Sequence, residues 1–111
     1  MEFKGKHYVA SFYDCKNIED TNFIKSVIHT ALTLAHCTIV GYTDYTFDNN
    51  GFTAVFLLSE SHCSVHSYPE NQSLFIDLFT CGEKADTQCF HQVLVELFET
   101  TNYQFQILHR D

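Results

Sequence analysis

The chain has 111 residues, enough for one domain with a modest core. With 45% hydrophobic and 18% charged residues, 1 Pro and 4 Gly, its composition is neither disordered, nor collagen-like, nor that of a linker. Its 14 acidic against 6 basic residues give a net charge of −8, which argues against a nucleic-acid partner and suits a cationic ligand better.

Residues 6–13 (KHYVASFY) are aromatic and apolar and predict a strand. Asp20 and Thr21 are cap candidates for a following helix, whose apolar face is Ile24, Val27, Ile28, Ala31, Leu32 and Ala35. Residues 37–46 predict a second strand, Asp48, Asn49, Asn50 and Gly51 a turn, and the apolar run 52–58 a central strand. Residues 59–70 (SESHCSVHSYPE) fit no simple period. Residues 73–79 alternate, with Leu74, Ile76 and Leu78 on one face and Phe75, Asp77 and Phe79 on the other. Thr80 to Lys84 reads as a loop. A second helix should begin near Asp86 or Thr87, with Phe90, Val93, Leu94, Leu97 and Phe98 as its stripe. The last strand, 103–109, sets Tyr103, Phe105 and Ile107 on one face. The order β-α-β-β-(β)-β-α-β predicts an α+β two-layer sandwich, an antiparallel sheet with both helices on one face. The other sheet face then needs a cover, which dimerisation would provide.

The N-terminal segment MEFKGKHYVASF carries Glu2 and no apolar run of signal-peptide type, and stretches such as 54–58 are too short to cross a bilayer. A cytoplasmic protein without a membrane partner is expected. The 5 cysteines, Cys15, Cys37, Cys63, Cys81 and Cys89, are odd in number and form no C-x-x-C pair. Neither a disulfide framework nor a zinc ribbon is indicated; most of these thiols should be reduced, buried and inert, with room for one reactive group.

Chemistry-bearing residues concentrate in the segment without a period: Ser59, Glu60, Ser61, His62, Ser64, His66, Tyr68 and Glu70, with Cys81 following in a Thr-Cys-Gly-Glu loop. If 62–66 is extended, His62, Ser64 and His66 share a face. Residue types alone leave several chemistries open. His62, His66 and Cys81 could form a zinc set, although the spacing is unspecific. Cys81 with His66 is the pair a thiol hydrolase needs, without a visible orienting acid or oxyanion hole. The serines and histidines can equally serve to satisfy buried backbone groups.

The stretch GFTAVFLLSESHCSVHSYPE, followed by DLFTCGE, resembles the prokaryotic S-adenosylmethionine decarboxylase proenzyme family, and the likeness extends upstream to HYVASFYDC. The Ser-Glu-Ser-His, His-Ser-Tyr-Pro-Glu and Phe-Thr-Cys-Gly blocks occur in the family's order and near its spacing. The resemblance implies a self-cleaving proenzyme, cut between Glu60 and Ser61 into a β chain, 1–60, and an α chain, 61–111. The Ser61 hydroxyl would attack the Glu60 carbonyl and turn the amide into an ester, a step that needs a strained peptide and a stabilised oxyanion. By resemblance, Thr53 and His66 serve this step. His66 is then the base that removes the Ser61 α-proton, and the resulting dehydroalanine loses ammonia to become a covalently bound pyruvoyl group.

The same resemblance implies a carboxy-lyase. The substrate amine would form a Schiff base with the pyruvoyl carbonyl, which takes up the electrons released with carbon dioxide, and Cys81 would protonate the former α-carbon. Phe47 would stack on adenine and Glu70 would bond the ribose hydroxyls. Tyr68 and Pro69 would shape the same wall, with Tyr13 or Phe12 as a second aromatic. The product would be decarboxylated S-adenosylmethionine, the aminopropyl donor for spermidine and other polyamines. Thr53 stands where several relatives have Ser, and Ser11 where some have Glu; the first bears on processing, the second on binding of substrate or an activator. A pyruvoyl-dependent ornithine or arginine decarboxylase is an alternative that Phe47 and Glu70 oppose. An unprocessed regulatory homologue is another, opposed by intact Ser61, His66 and Cys81. The family's half-site arrangement implies a homodimer of processed αβ protomers, with active sites near a sheet-to-sheet interface.

Overall fold

Alternating apolar side chains and two capped amphipathic segments build β1 (Gly5–Tyr13), α1 (Thr21–Leu34), β2 (Ile39–Thr46), β3 (Phe52–Leu58), β4 (Ser61–Tyr68), β5 (Ser73–Thr80), α2 (Thr87–Leu97) and β6 (Asn102–Arg110). The computed structural model describes residues 4–110, so Glu2 lies outside the described residues. Asp20 caps α1, its carboxylate accepting the Phe23 N–H at 3.1 Å, and Asp86 caps α2 through the Cys89 N–H at 3.0 Å. Each such cap contributes about 1 kcal/mol.

The sheet has the order β2-β3-β4-β5-β1-β6, and every neighbouring pair is antiparallel. One face meets both helices. Tyr8 and Phe12 of β1, Phe56 of β3, and Leu74 and Leu78 of β5 form one buried cluster with Ile24, Ile28 and Leu32 of α1 and Phe90 and Leu94 of α2. Full burial of each large apolar side chain contributes roughly 1.5–3 kcal/mol. The other face carries no layer of its own and leaves Leu57 52%, Phe75 38% and Leu108 45% exposed. Among the described residues no helix is long and apolar enough to cross a membrane.

The structure departs from the sequence reading at four places, the simplest being Thr80, read as loop but held as the last residue of β5 by its pairing with Ser61. The segment without a period folds as β4, between β3 and β5, followed by a 3₁₀ turn at Pro69–Asn71. Cys63, Val65 and Ser67 are its buried side. Polar Ser67 disguises the alternation; it is accommodated inside because its hydroxyl accepts the Phe52 N–H at 3.1 Å. β2 starts at Ile39 rather than 37, because Cys37 still closes α1 through its N–H to the Leu32 carbonyl at 3.0 Å. On α2, Leu97 is exposed and His91 is buried instead, on the same side as Phe90 and Leu94.

His91 is hydrogen-bonded through Nδ1 to the Tyr8 hydroxyl at 2.7 Å and stacks on Phe105 with ring centroids 3.8 Å apart. Burial lowers its pKa below the ordinary imidazole value. A folded-state value below the unfolded one means that stability is complete above the unfolded value and is lost as pH falls through the folded one. The melting temperature should therefore hold from about pH 8 to about pH 6.5 and fall below that. In His91→Phe the part of this fall due to His91 should vanish; an unchanged slope would identify other groups as its source.

Candidate active site

Leu58 of β3 pairs with Ser61 of β4, which leaves Ser59 and Glu60 as a tight turn. The Glu60–Ser61 bond therefore joins the last turn residue to the first strand residue. On the other side of β4, Thr80 at the end of β5 pairs with Ser61, so Thr80, Cys81 and Gly82 leave the sheet beside Glu60. The Cys81 N–H donates to the Glu60 carbonyl oxygen at 3.4 Å, a long hydrogen bond. The Ser59 hydroxyl donates to Glu60 Oε1 at 2.9 Å. A Cβ on Gly82 would come within 2.8 Å of Glu60 Oε2, which places the Glu60 carboxylate against this turn. Ser61 Oγ is buried and has no hydrogen-bond partner among the described residues. Cys81 is half-buried and lines a cavity of about 380 Å³ with Lys4, Lys6, Gly82 and Glu83.

A second group of residues gathers at the opposite end of β4. Thr53 pairs with His66, and both line a groove of about 500 Å³ on the open sheet face, together with Ser11, Ser64, Phe75 and Asp77. Phe47, His66 and Tyr68 border a further cavity of about 500 Å³ next to the β2–β3 turn. Their rings form a continuous wall: Phe47 to His66 is 6.0 Å between centroids, His66 to Tyr68 4.6 Å, and Tyr68 to Phe75 5.6 Å. Glu70 follows in the 3₁₀ turn with its side chain exposed, beside half-buried Pro69. Phe12 does not join this wall. It is fully buried on the helix side, against His91 and Tyr103 at 5.8 Å each, because its place in the strand's alternation points it away from the open face. Tyr13, next to it, is half-buried.

Five positions of extended strand separate Ser61 from His66, a span of about 16 Å. Cys81 follows the register partner of Ser61, whereas His66 pairs with Phe75. Within one chain the structure thus brings Glu60, Ser61 and Cys81 together, and separately Thr53, His66, Phe47 and Tyr68. Neither the Cys81–His66 pair nor the zinc set of His62, His66 and Cys81 is assembled in a single chain. Among the thiols, burial pushes Cys15 up to about 12, Cys37 up to about 11 and Cys63 well above its ordinary value, so these three stay protonated.

Asp77 is a polar centre that sequence reasoning passed over. The Ser64 hydroxyl donates to its Oδ1, His7 Nε2 donates to Oδ2 at 2.8 Å, and His62 Nε2 stands 3.9 Å from the same oxygen. Arg110 Nη1 donates to His7 Nδ1 at 3.3 Å, so the network crosses β4, β5, β1 and β6. Its only signal in the sequence is a carboxylate among the apolar residues of an alternating strand.

An antiparallel sheet with both helices on one side is the scaffold class of the adenosylmethionine decarboxylase from Aquifex aeolicus VF5. Its crystal structure matches this fold with a TM-score of 0.86, covering 99% of this chain and 92% of that one at 24% identity. The family model described as S-adenosylmethionine decarboxylase matches residues 6–111. An S-adenosylmethionine decarboxylase proenzyme of Prochlorococcus marinus (strain MIT 9313) is 31% identical over 109 residues, 96% of this chain and 87% of the relative. The protein of the same description from Archaeoglobus fulgidus is 30% identical over 108 residues, 96% of each chain. That from Oceanobacillus iheyensis is 31% identical over 113 residues, 99% of this chain and 89% of the relative. The chain belongs to the S-adenosylmethionine decarboxylase family.

Proposed function

We propose that the protein is a self-processing, pyruvoyl-dependent S-adenosylmethionine decarboxylase of the cytoplasm, a carboxy-lyase that supplies the aminopropyl donor for spermidine and polyamine synthesis. The observation that carries this reading is the Ser61 hydroxyl. It is buried, unpartnered and adjacent to a carbonyl that accepts the Cys81 N–H. A serine hydroxyl held free beside its own peptide bond fits the precursor of a pyruvoyl group.

In processing, the bond from Ser61 Oγ to the Glu60 carbonyl carbon forms as the bond to the Ser61 nitrogen breaks. The Cys81 N–H bears the charge that develops on the carbonyl oxygen. His66 then takes the Ser61 α-proton while the Cβ–Oγ bond breaks, and Glu60 leaves as the carboxylate end of the β chain. Water displaces the nitrogen as ammonia. The pyruvoyl group so made supplies an electrophilic carbonyl and an electron sink. Cys81 delivers the proton that replaces carbon dioxide. Phe47 and Tyr68 offer aromatic faces to the adenine and the sulfonium, and Glu70 offers acceptors to the ribose hydroxyls.

His66 of the same chain is too far along β4 to reach Ser61. In the proposed homodimer, whose open sheet faces meet, a second copy would supply His66 and Thr53. The same contact would cover Leu57, Phe75 and Leu108.

Release of labelled carbon dioxide from S-adenosylmethionine, ornithine and arginine tests the substrate. Release from S-adenosylmethionine alone is expected, and release from either amino acid but not from S-adenosylmethionine would overturn the assignment. Phe47→Ala should raise KM roughly tenfold or more, the loss of one base–aromatic stack, with a smaller change in kcat.

A further inference from the structure

We infer that Thr80 is a positioning residue for self-cleavage: its hydroxyl pins the turn that brings the Cys81 N–H to the Glu60 carbonyl. The inference rests on the proposed self-processing and assigns a residue that the processing chemistry above does not use.

Thr80 is the last residue of β5 and is 1% exposed. It lies directly opposite Ser61 in the ladder. Opposed residues of antiparallel strands project to the same face, with Cβ atoms about 4.5–5.5 Å apart. The two hydroxyls are therefore neighbours on one side of the sheet. Thr80 Oγ1 accepts the Gly82 N–H at 3.0 Å, a threonine turn that fixes the peptides on both sides of Cys81. The middle N–H of that turn is the one directed at the Glu60 carbonyl. At 3.4 Å this contact is long in the uncut chain, and small rotations of the turn would break it.

A hydroxyl offers one donor and two acceptor sites. The Gly82 bond uses one acceptor site of Thr80. Ser61 Oγ, which with His91 Nε2 makes up the buried side-chain atoms lacking a partner among the described residues, takes no hydrogen bond from Thr80, so Thr80 acts on the Glu60 carbonyl through the turn. His91 belongs to the distant α2–β6 contact.

The test follows precursor cleavage during in vitro translation, read by denaturing electrophoresis and intact mass, for wild type, Thr80→Val, Thr80→Ala and Thr80→Ser. Folding is followed by thermal melting, and hydroxylamine is added to uncut chains because it cleaves esters and spares amides. Thr80→Val keeps the shape and removes the hydroxyl. It should fold and cleave roughly 10- to 100-fold more slowly, less than the roughly 100- to 1000-fold of losing an oxyanion donor outright, because the Cys81 N–H remains and is only less well placed. Its precursor should resist hydroxylamine, since the block precedes the ester. Thr80→Ser should restore most of the rate. If Thr80→Val does not fold, Thr80→Ala carries the same expectation. Wild-type cleavage rates in the valine or alanine variant, equal slowing in the serine variant, or a hydroxylamine-sensitive precursor would each overturn the role of Thr80. A wild-type chain that stays whole would instead overturn self-processing itself, so the two failures are distinguishable.

Discussion

Ser61→Ala should leave one polypeptide of 12.8 kDa on denaturing electrophoresis, where the wild-type chain should separate into fragments 1–60 and 61–111. The second wild-type fragment should be blocked to N-terminal sequencing, because residue 61 would no longer carry an amine. The variant releases no carbon dioxide from S-adenosylmethionine above background. The substitution is mild for the fold. Ser61 Oγ makes no hydrogen bond, so its removal leaves no partner unsatisfied, and the melting temperature should match or exceed that of any uncut wild type. Loss of activity with an intact fold then reports chemistry rather than stability. A wild-type chain that remains whole, or a variant that is still cut at this bond, would remove the basis of the proposed function.

The second large effect concerns His66. Alone, His66→Ala should fold, dimerise and remain uncut or stall at the ester. Co-expressed with Ser61→Ala it should be cut. In the mixed dimer the Ser61→Ala chain contributes an intact His66 to the Ser61 of its neighbour, so only the His66→Ala chain is cleaved. Mass spectrometry distinguishes the two chains by their substitutions. Cleavage of a monomeric wild-type chain, or no rescue in a verified mixed dimer, would show that His66 does not act across copies. The expectation follows from strand geometry, since five residues at about 3.3 Å each exceed the reach of an imidazole several times over.

That separation also explains what the sequence could and could not show. The helices were legible because Ile24, Ile28, Leu32, Phe90 and Leu94 recur at helical spacing and Asp20 and Asp86 stand at the starts. β1, β3 and β5 were legible from apolar alternation or apolar runs. β4 was not, because its inner face includes Ser67 and its outer face His62, Ser64 and His66, so hydrophobicity marks neither side cleanly. The choice between Phe12 and Tyr13 was equally hidden, since neighbouring strand residues point to opposite faces and only the register decides between them. Ser61 and His66 looked like one site because they are close in sequence. In a strand, closeness in sequence is distance in space, whereas Cys81, twenty positions beyond Ser61, is brought back beside it by the β4–β5 pairing.

The strand order has a further consequence once the Glu60–Ser61 bond is cut. The β chain then owns β1, β2 and β3, and the α chain owns β4, β5 and β6. In the order β2-β3-β4-β5-β1-β6 these do not form two blocks. β1 is threaded between β5 and β6, and α1 packs on α2 across the same divide. His7, on β1, is clasped from both sides by Asp77 and Arg110 of the other fragment. Cut as proposed, the molecule would be an interlocked split protein, in which neither piece could leave without opening two ladders around β1 and a third between β3 and β4. Such a shape is readily built by folding first and cutting afterwards, and poorly built by joining two finished halves. The proposed maturation would therefore change the chemistry at residue 61 and free a chain end, while the mechanical integrity of the domain would rest on hydrogen bonds and packing that the lost peptide bond never carried.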